Sequence, residues 1–257
     1  LVRIHLDYET RCDLDIKKVG LWRYVSHESF MVSLTAWCIN DSEVFQHEGF
    51  HFPQHTLPEK VTYHAFNAPF EMAVIRSQTN TGVNPHQWRC TLAHAYARGF
   101  AKGLKDVGAQ VGLPEDQQKL KEGGRLINWF CSPPYKPLEG EKWERFKLYN
   151  RMDVIAERGI WHKLNEWAPW RPEEQQLWML DRVINERGLP VDLDLANNAL
   201  AIADADRERM NARCKALTGL GLDQTGALLK WAQERGYDGD NLQAETILAW
   251  LNNPIPF

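Results

Sequence analysis

The sequence predicts an α/β fold, a mixed sheet flanked by helices and followed by an all-helical C-terminal segment. Two observations carry this. Short runs of strand character fall before residue 67 and long helical patterns after it, the ordering of a layered α/β domain. The stretch Trp167-Ala168-Pro169-Trp170-Arg171-Pro172 then interrupts the chain, and every periodic segment beyond it is helical. The expected domains are residues 1–168 and residues 172–257.

Each element has its own signal. Residues 1–9 alternate apolar and polar and end on acids, the pattern of a half-buried strand that delivers side chains to a sheet edge. Phe30 to Ile39 is rich in β-branched and aromatic residues, Asp41-Ser42 offers a turn, and Glu43 to His47 reads as a further short strand. Pro53 and Pro58 punctuate a loop before the strand Val61 to Phe66. Pro69 suits the first turn of a helix reaching about Thr79, because a first-turn N–H has no helical partner to lose. Thr91 to Phe130 is mostly helical, broken at Gly99, at Gly112-Leu113-Pro114 and at Gly123-Gly124. After a loop with three prolines, Ser132 to Glu139, a long helix covers Glu141 to Trp167. Further helices are expected over Glu173–Arg187, ended by Gly188, and over Leu193–Leu217, Thr225–Arg235 and Ala244–Leu251.

Composition narrows the class. At 44% hydrophobic and 25% charged, the 257 residues are those of a globular chain with ample length for a core, not of a disordered one. A net charge of −4 argues neither for nor against nucleic acid, since a basic groove can be local. Five scattered cysteines give no zinc spacing and no even disulfide framework, which suits a reducing, cytoplasmic setting. No apolar run reaches the roughly 18 residues of a spanning helix, so no membrane association is expected. The chain starts at Leu1 and stops at Phe257 without a polar tail, as a fragment would.

Three acidic stretches carry the chemistry: Asp7-Tyr8-Glu9 at the end of the first strand, Asn67-Ala68-Pro69-Phe70-Glu71 after the strand near residue 61, and Tyr149-Asn150-Arg151-Met152-Asp153 in the long helix. Asp7 and Glu9 are two apart on a strand and leave the same face. Tyr149 and Asp153 are four apart on a helix and share a face. Each has a plain structural reading when taken alone: a common acidic triplet, a helix start with Asn67 as cap and Glu71 favouring the dipole, and a core-edge Tyr beside a solvated Asp. Taken jointly they supply the oxygen ligands that hard Mg²⁺ or Mn²⁺ ions prefer, as cleavage of a phosphodiester by two ions about 4 Å apart requires.

In this order and spacing the three stretches resemble the motifs of the DEDD 3′→5′ exonucleases, in the subgroup with a tyrosine in the third motif. The resemblance spans residues 1–168 and implies an RNase H-like fold and a two-metal nuclease. It places Asp7, Glu9 and Asp153 around one ion and Asp7 and Glu71 around the other, with Tyr149 orienting the attacking water. The family usually has Asp where this chain has Glu71, whose extra methylene would push the carboxylate about 1 Å further. Thr10, Asn67 and Phe70 fall where substrate would lie, although Phe70 also suits the core. Arg11, Lys17, Lys18 and Arg23 read equally as a track for a single-strand backbone or as a solvated face.

The segment Gln175 to Asp192, with a helix ended near Asn185-Glu186-Arg187-Gly188 and a short piece closing on Val191-Asp192, resembles the region after the exonuclease domain of bacteriophage-type family A DNA polymerases. Residues 172–257 would then be the start of a polymerase thumb, without palm motifs. The resemblance implies a proofreading module that releases mononucleotides from single-stranded or frayed DNA 3′ ends, with the polymerase domain missing from this chain. Two other readings stay open: an RNase D-like RNA 3′ exonuclease, and a degenerate nucleic-acid-binding module, which Glu71 alone supports.

Overall fold

The computed structural model describes residues 1–53, 60–80, 83–100, 103–117 and 123–252; Pro58 and the tail from residue 253 lie outside them. Within the first compact unit, Leu1–Arg187, the elements run β1 (Val2–Arg11), α1 (Ile16–Val19), α2 (Leu21–Val25), β2 (Met31–Ile39), β3 (Phe45–Glu48), β4 (Val61–Ala65), α3 (Ala68–Thr79), β5 (Trp88–Cys90), α4 (Thr91–Ala97), α5 (Leu104–Gln110), α6 (Gly123–Cys131), α7 (Gly140–Trp167) and α8 (Pro172–Arg187). The five strands form one sheet in the order β3-β2-β1-β4-β5. β1 pairs antiparallel with β2 and parallel with β4, so the sheet is mixed, as expected of an RNase H-like fold.

β1 is the central strand and is covered on both faces, which explains why Ile4 to Thr10 are buried on both parities rather than at alternate residues, with Asp7 alone among them half-buried. Ile4, Leu6 and Tyr8 enter a core with Tyr24 and Val25 of α2 and Met72 and Val74 of α3. The opposite parity, His5, Asp7 and Glu9, leaves the other face. There the β2 partners in register are Cys38, Ala36 and Leu34. Leu34 packs with Phe146 and Tyr149 of α7 and with Phe130 of α6, whereas Ala36 and Cys38 pack with Val154 of α7. α7 therefore lies across the polar face of β1, and its apolar neighbours on β2 hold it there.

Sequence expectations and structure agree on the first four strands and on α3, α7 and α8. β5 was not expected: three residues are too few to show alternation, and parallel pairing of Trp88 with Tyr63 and of Cys90 with Ala65 creates the strand. The pieces α1 and α2 are likewise too short for a helical period to be read. α8 belongs to the first unit, with Trp178 buried in its core and the Gln175 side-chain amide donating to the Trp88 carbonyl at 2.9 Å.

The second unit, Gly188–Phe257, contains α9 (Leu193–Thr218), α10 (Thr225–Gln233) and α11 (Ala244–Asn252). Asp192 caps α9 by accepting from the Leu195 N–H at 2.9 Å. Tyr237 and Trp250 pack edge to face within this unit, with ring centroids 5.3 Å apart. All five cysteines are free thiols. Among the described residues no helix is long and apolar enough to cross a membrane.

Candidate active site

Strand parity brings Asp7 and Glu9 to the face under α7, and helical period brings Tyr149 and Asp153 down onto them. One carboxylate oxygen from each of Asp7, Glu9 and Asp153 lies within 4.8 Å of the other two. Glu9 and Asp153 are buried, and Asp7 is half-buried. A register shift between Glu9 and Thr10 re-aims the end of β1, as bulges beside active sites do, so that Thr10 pairs with Val32 rather than continuing the ladder from Leu34.

Tyr149 is almost fully buried, stacked on Phe146 with ring planes 7° apart. Its hydroxyl hydrogen-bonds Asp153. Burial first, and then the negative charges of Asp153, Glu9 and Asp7, push the phenol pKa far above its ordinary value, so the group stays protonated and donates to Asp153. The ring has its place because Gly123 opens α6 beside it: a Cβ there would stand 2.0 Å from Tyr149 Cε2.

Glu71 sits in the first turn of α3, buried, and outside the set of three carboxylates that converge within 4.8 Å. Burial, and next the Asp7 charge, raise its carboxyl pKa well above the usual range. Its Oε2 is buried without a hydrogen-bond partner. A buried carboxylate oxygen with no donor, next to three converging acids, is the donor chemistry that a hard divalent cation satisfies, so these residues fit such an ion.

Asn67 stands at the helix start, but its side chain makes no capping bond and is exposed, so the capping role does not explain it. Thr10, Phe70 and Glu9 line a cavity of about 540 Å³ together with Tyr24, Ile127 and Pro133. The Thr10 and Tyr24 hydroxyls are 3.0 Å apart, and burial raises the Tyr24 phenol to about 12. Phe70 also packs against the core. Of the expected basic residues, Lys17 lines the cavity; Lys18 and Arg23 are exposed without lining it, and Arg11 lies over the Tyr135 ring at 5.0 Å.

Two site residues escape a sequence reading. Asn150 is fully buried, and its side-chain amide donates to Asp7 Oδ2 at 2.8 Å. Gln46 of β3 donates to Asn150 Oδ1 at 3.0 Å and to the Lys147 carbonyl at 2.8 Å, fixing the amide's orientation. The adjacent position on α7, between Tyr149 and Arg151, gave no sign of this. Only the contact across 143 residues shows it.

No family model matches the chain. The chain is similar to a phage DNA polymerase. That relative, the DNA polymerase of Bacillus phage SP02, is 33% identical over a stretch covering 97% of this chain, which takes in both compact units. The chain spans 41% of the phage polymerase's length. At the level of that name, the phage polymerase agrees with what the polymerase-like segment after Pro172 leads one to expect.

Proposed function

We propose that the chain is the 3′→5′ exonuclease module of a phage-type, family A DNA polymerase, in the tyrosine subgroup of the DEDD exonucleases. Residues 1–168 would form the exonuclease domain and residues 172–257 the start of the thumb, with the polymerase domain elsewhere in a longer protein. The observation that carries the reading is the convergence of Asp7, Glu9 and Asp153 within 4.8 Å under a protonated Tyr149. Similarity to a phage DNA polymerase supports DNA over RNA as substrate.

Asp7, Glu9 and Asp153 would hold one Mg²⁺ or Mn²⁺ ion, and Asp7 with Glu71 a second. Such a pair supplies Lewis acidity to the phosphate and charge stabilisation to both oxygens of an in-line displacement. The Tyr149 hydroxyl donates its proton to Asp153 and offers a lone pair to the attacking water, which fixes the water's direction. The water gives a proton to solvent as its oxygen bonds to phosphorus, the bond from phosphorus to the 3′ oxygen breaks with that oxygen taking a proton from solvent, and a nucleoside 5′-monophosphate leaves. Asn150 locks one Asp7 oxygen so that the other keeps its aim. Thr10, Phe70 and the exposed Asn67 would contact the terminal nucleotide of a single-stranded or frayed 3′ end. The expected setting is the cytoplasm of a phage-infected bacterial cell.

The raised carboxyl pKa that burial gives Glu71 supports a second reading, a module that holds strands without cutting them. A 5′-labelled single-stranded DNA oligonucleotide incubated with Mg²⁺ or Mn²⁺ separates the two. The exonuclease reading expects a ladder shortening from the 3′ end, and a fall of more than about 10³-fold in Asp7→Ala as the cage opens. Binding with no ladder in either metal supports the second reading. An undiminished ladder in Asp7→Ala removes Asp7 from the site.

A further inference from the structure

A second buried polar cluster lies between β1 and α7, beside the acids. His5 precedes Asp7 by two residues on β1, and Glu157 follows Asp153 by four on α7; both are buried. His5 Nδ1 and Glu157 Oε2 are 2.5 Å apart, and Thr91 at the start of α4 donates its hydroxyl to Glu157 Oε1. His64 of β4 is the register partner of His5, with ring centroids 4.7 Å apart, and its Nε2 lies 3.0 Å from Thr62 Oγ1. Trp161, one turn beyond Glu157, covers both imidazoles edge-on.

The spacing makes this more than a satisfied core pair. Two residues along a strand advance about 6.6 Å, and four along a helix about 6 Å. The contacts Asp7 to Asp153 and His5 to Glu157 are therefore in step, one pair behind the other across the same strand and helix. Their forces differ in sign. The three acids repel one another and push α7 away from β1, whereas the His5–Glu157 hydrogen bond draws the two together in a dry interior where it is strong.

We propose that His5 and Glu157, with Thr91 as anchor, are positioning residues that clamp α7 to β1 and so fix Asp153 and Tyr149 at the distance from Asp7 and Glu9 that the cation cage needs. The effect on cleavage rests on the exonuclease reading; the effect on cation affinity does not. His5, His64 and Glu157 each offer a ligand atom within 4.8 Å of the others. The direct hydrogen bond between His5 Nδ1 and Glu157 Oε2, and Thr91 on the remaining carboxylate oxygen, satisfy Glu157 within the protein, whereas His5 Nε2 and His64 Nδ1 are buried without a hydrogen-bond partner, so zinc is the competing occupant to be measured.

The test measures two things on the full chain: Mn²⁺ affinity from the electron paramagnetic resonance signal of free Mn²⁺ without nucleic acid, and single-turnover cleavage of a 5′-labelled strand in Mg²⁺. Glu157→Ala should weaken Mn²⁺ binding about 10- to 100-fold and slow cleavage to match, the usual cost of losing a support behind metal ligands. Glu157→Gln keeps an acceptor for His5 and turns its amide N–H to the Thr91 oxygen, which then accepts instead of donating, and it should stay within about threefold of the parent on both measures. Leu164→Ala, which loosens the same helix elsewhere, should lower thermal stability and leave Mn²⁺ affinity unchanged. Should Glu157→Ala not fold, Glu157→Asp, which falls one methylene short of His5, takes its place with the same expectation. Parent-like Mn²⁺ affinity in the Ala or Asp variant overturns the clamp, as does equal weakening in Leu164→Ala. Stoichiometric zinc in the purified parent, lost in His64→Ala, also overturns it and makes the cluster a metal site. Weakened Mn²⁺ binding with no cleavage by the parent upholds the clamp and sinks the exonuclease reading alone.

Discussion

Glu71 stores a pH dependence that a better-solvated acid would not have. Burial and the Asp7 charge raise its folded-state pKa above the unfolded value, so the cation-free folded protein binds a proton more tightly than the unfolded chain. Stability linked to this group is fully present below the ordinary carboxyl pKa and is lost as pH rises through the raised one. With chelator present, Glu71→Gln should therefore raise the melting temperature by roughly 2–4 °C per kcal/mol recovered at pH 8, and change it little at pH 4. Saturating Mg²⁺ should shrink the difference, because the cation needs the carboxylate that Gln lacks. Scanning calorimetry at the two pH values checks the sign, and a Gln variant that melts lower at pH 8 in chelator would contradict it. At this scale the acids were legible: parity on β1 and period on α7 say which side chains share a face. Asn150, Gln46 and Gly123 were not, because each acts through a buried contact with a residue far away in sequence.

At the level of elements, α6 exists in its present place to seat Tyr149. A helix beginning on Gly123 brings its backbone against the phenol ring, and the missing Cβ is the clearance. In Gly123→Ala the methyl would overlap the ring edge, so the ring or the helix must move. The expected cost is about 1–3 kcal/mol of stability from overpacking. On the proposed role of Tyr149 in orienting water, a displacement of order 1 Å at its hydroxyl should cost about 10²-fold in single-turnover cleavage. Urea denaturation and single-turnover kinetics read the two separately, and unchanged kinetics would mean that Tyr149 tolerates a shifted ring. The sequence marked Gly123-Gly124 only as a break between helices, since a glycine's neighbour in space leaves no local trace. The 28-residue α7, by contrast, was read to within one residue of its observed start, because a long periodic segment outweighs local ambiguity.

For the whole molecule, the split falls between Arg187 and Gly188, with Gly188 at φ 65° and the exposed Leu189-Pro190-Val191 leading into α9. The break that the sequence shows at Trp167–Pro172 lies inside the first unit, because Trp178 and Gln175 return α8 to the sheet. A polypeptide of residues 1–187 carries every proposed catalytic group and the core that positions them. It should fold cooperatively and keep cleavage of single strands within about threefold of the full chain, as domains with their own core do. Loss of cleavage in a folded 1–187 protein would mean that the second unit contributes to substrate handling. β1 sets a last condition on this protein's history. Its Ile4, Leu6 and Tyr8 hold the core together while Asp7 and Glu9 converge on the proposed cation site, so gaining or losing a single residue within it would swap the two sets at once. Point changes can explore this strand one face at a time. Insertions and deletions cannot, and related genes should differ in length almost anywhere except here.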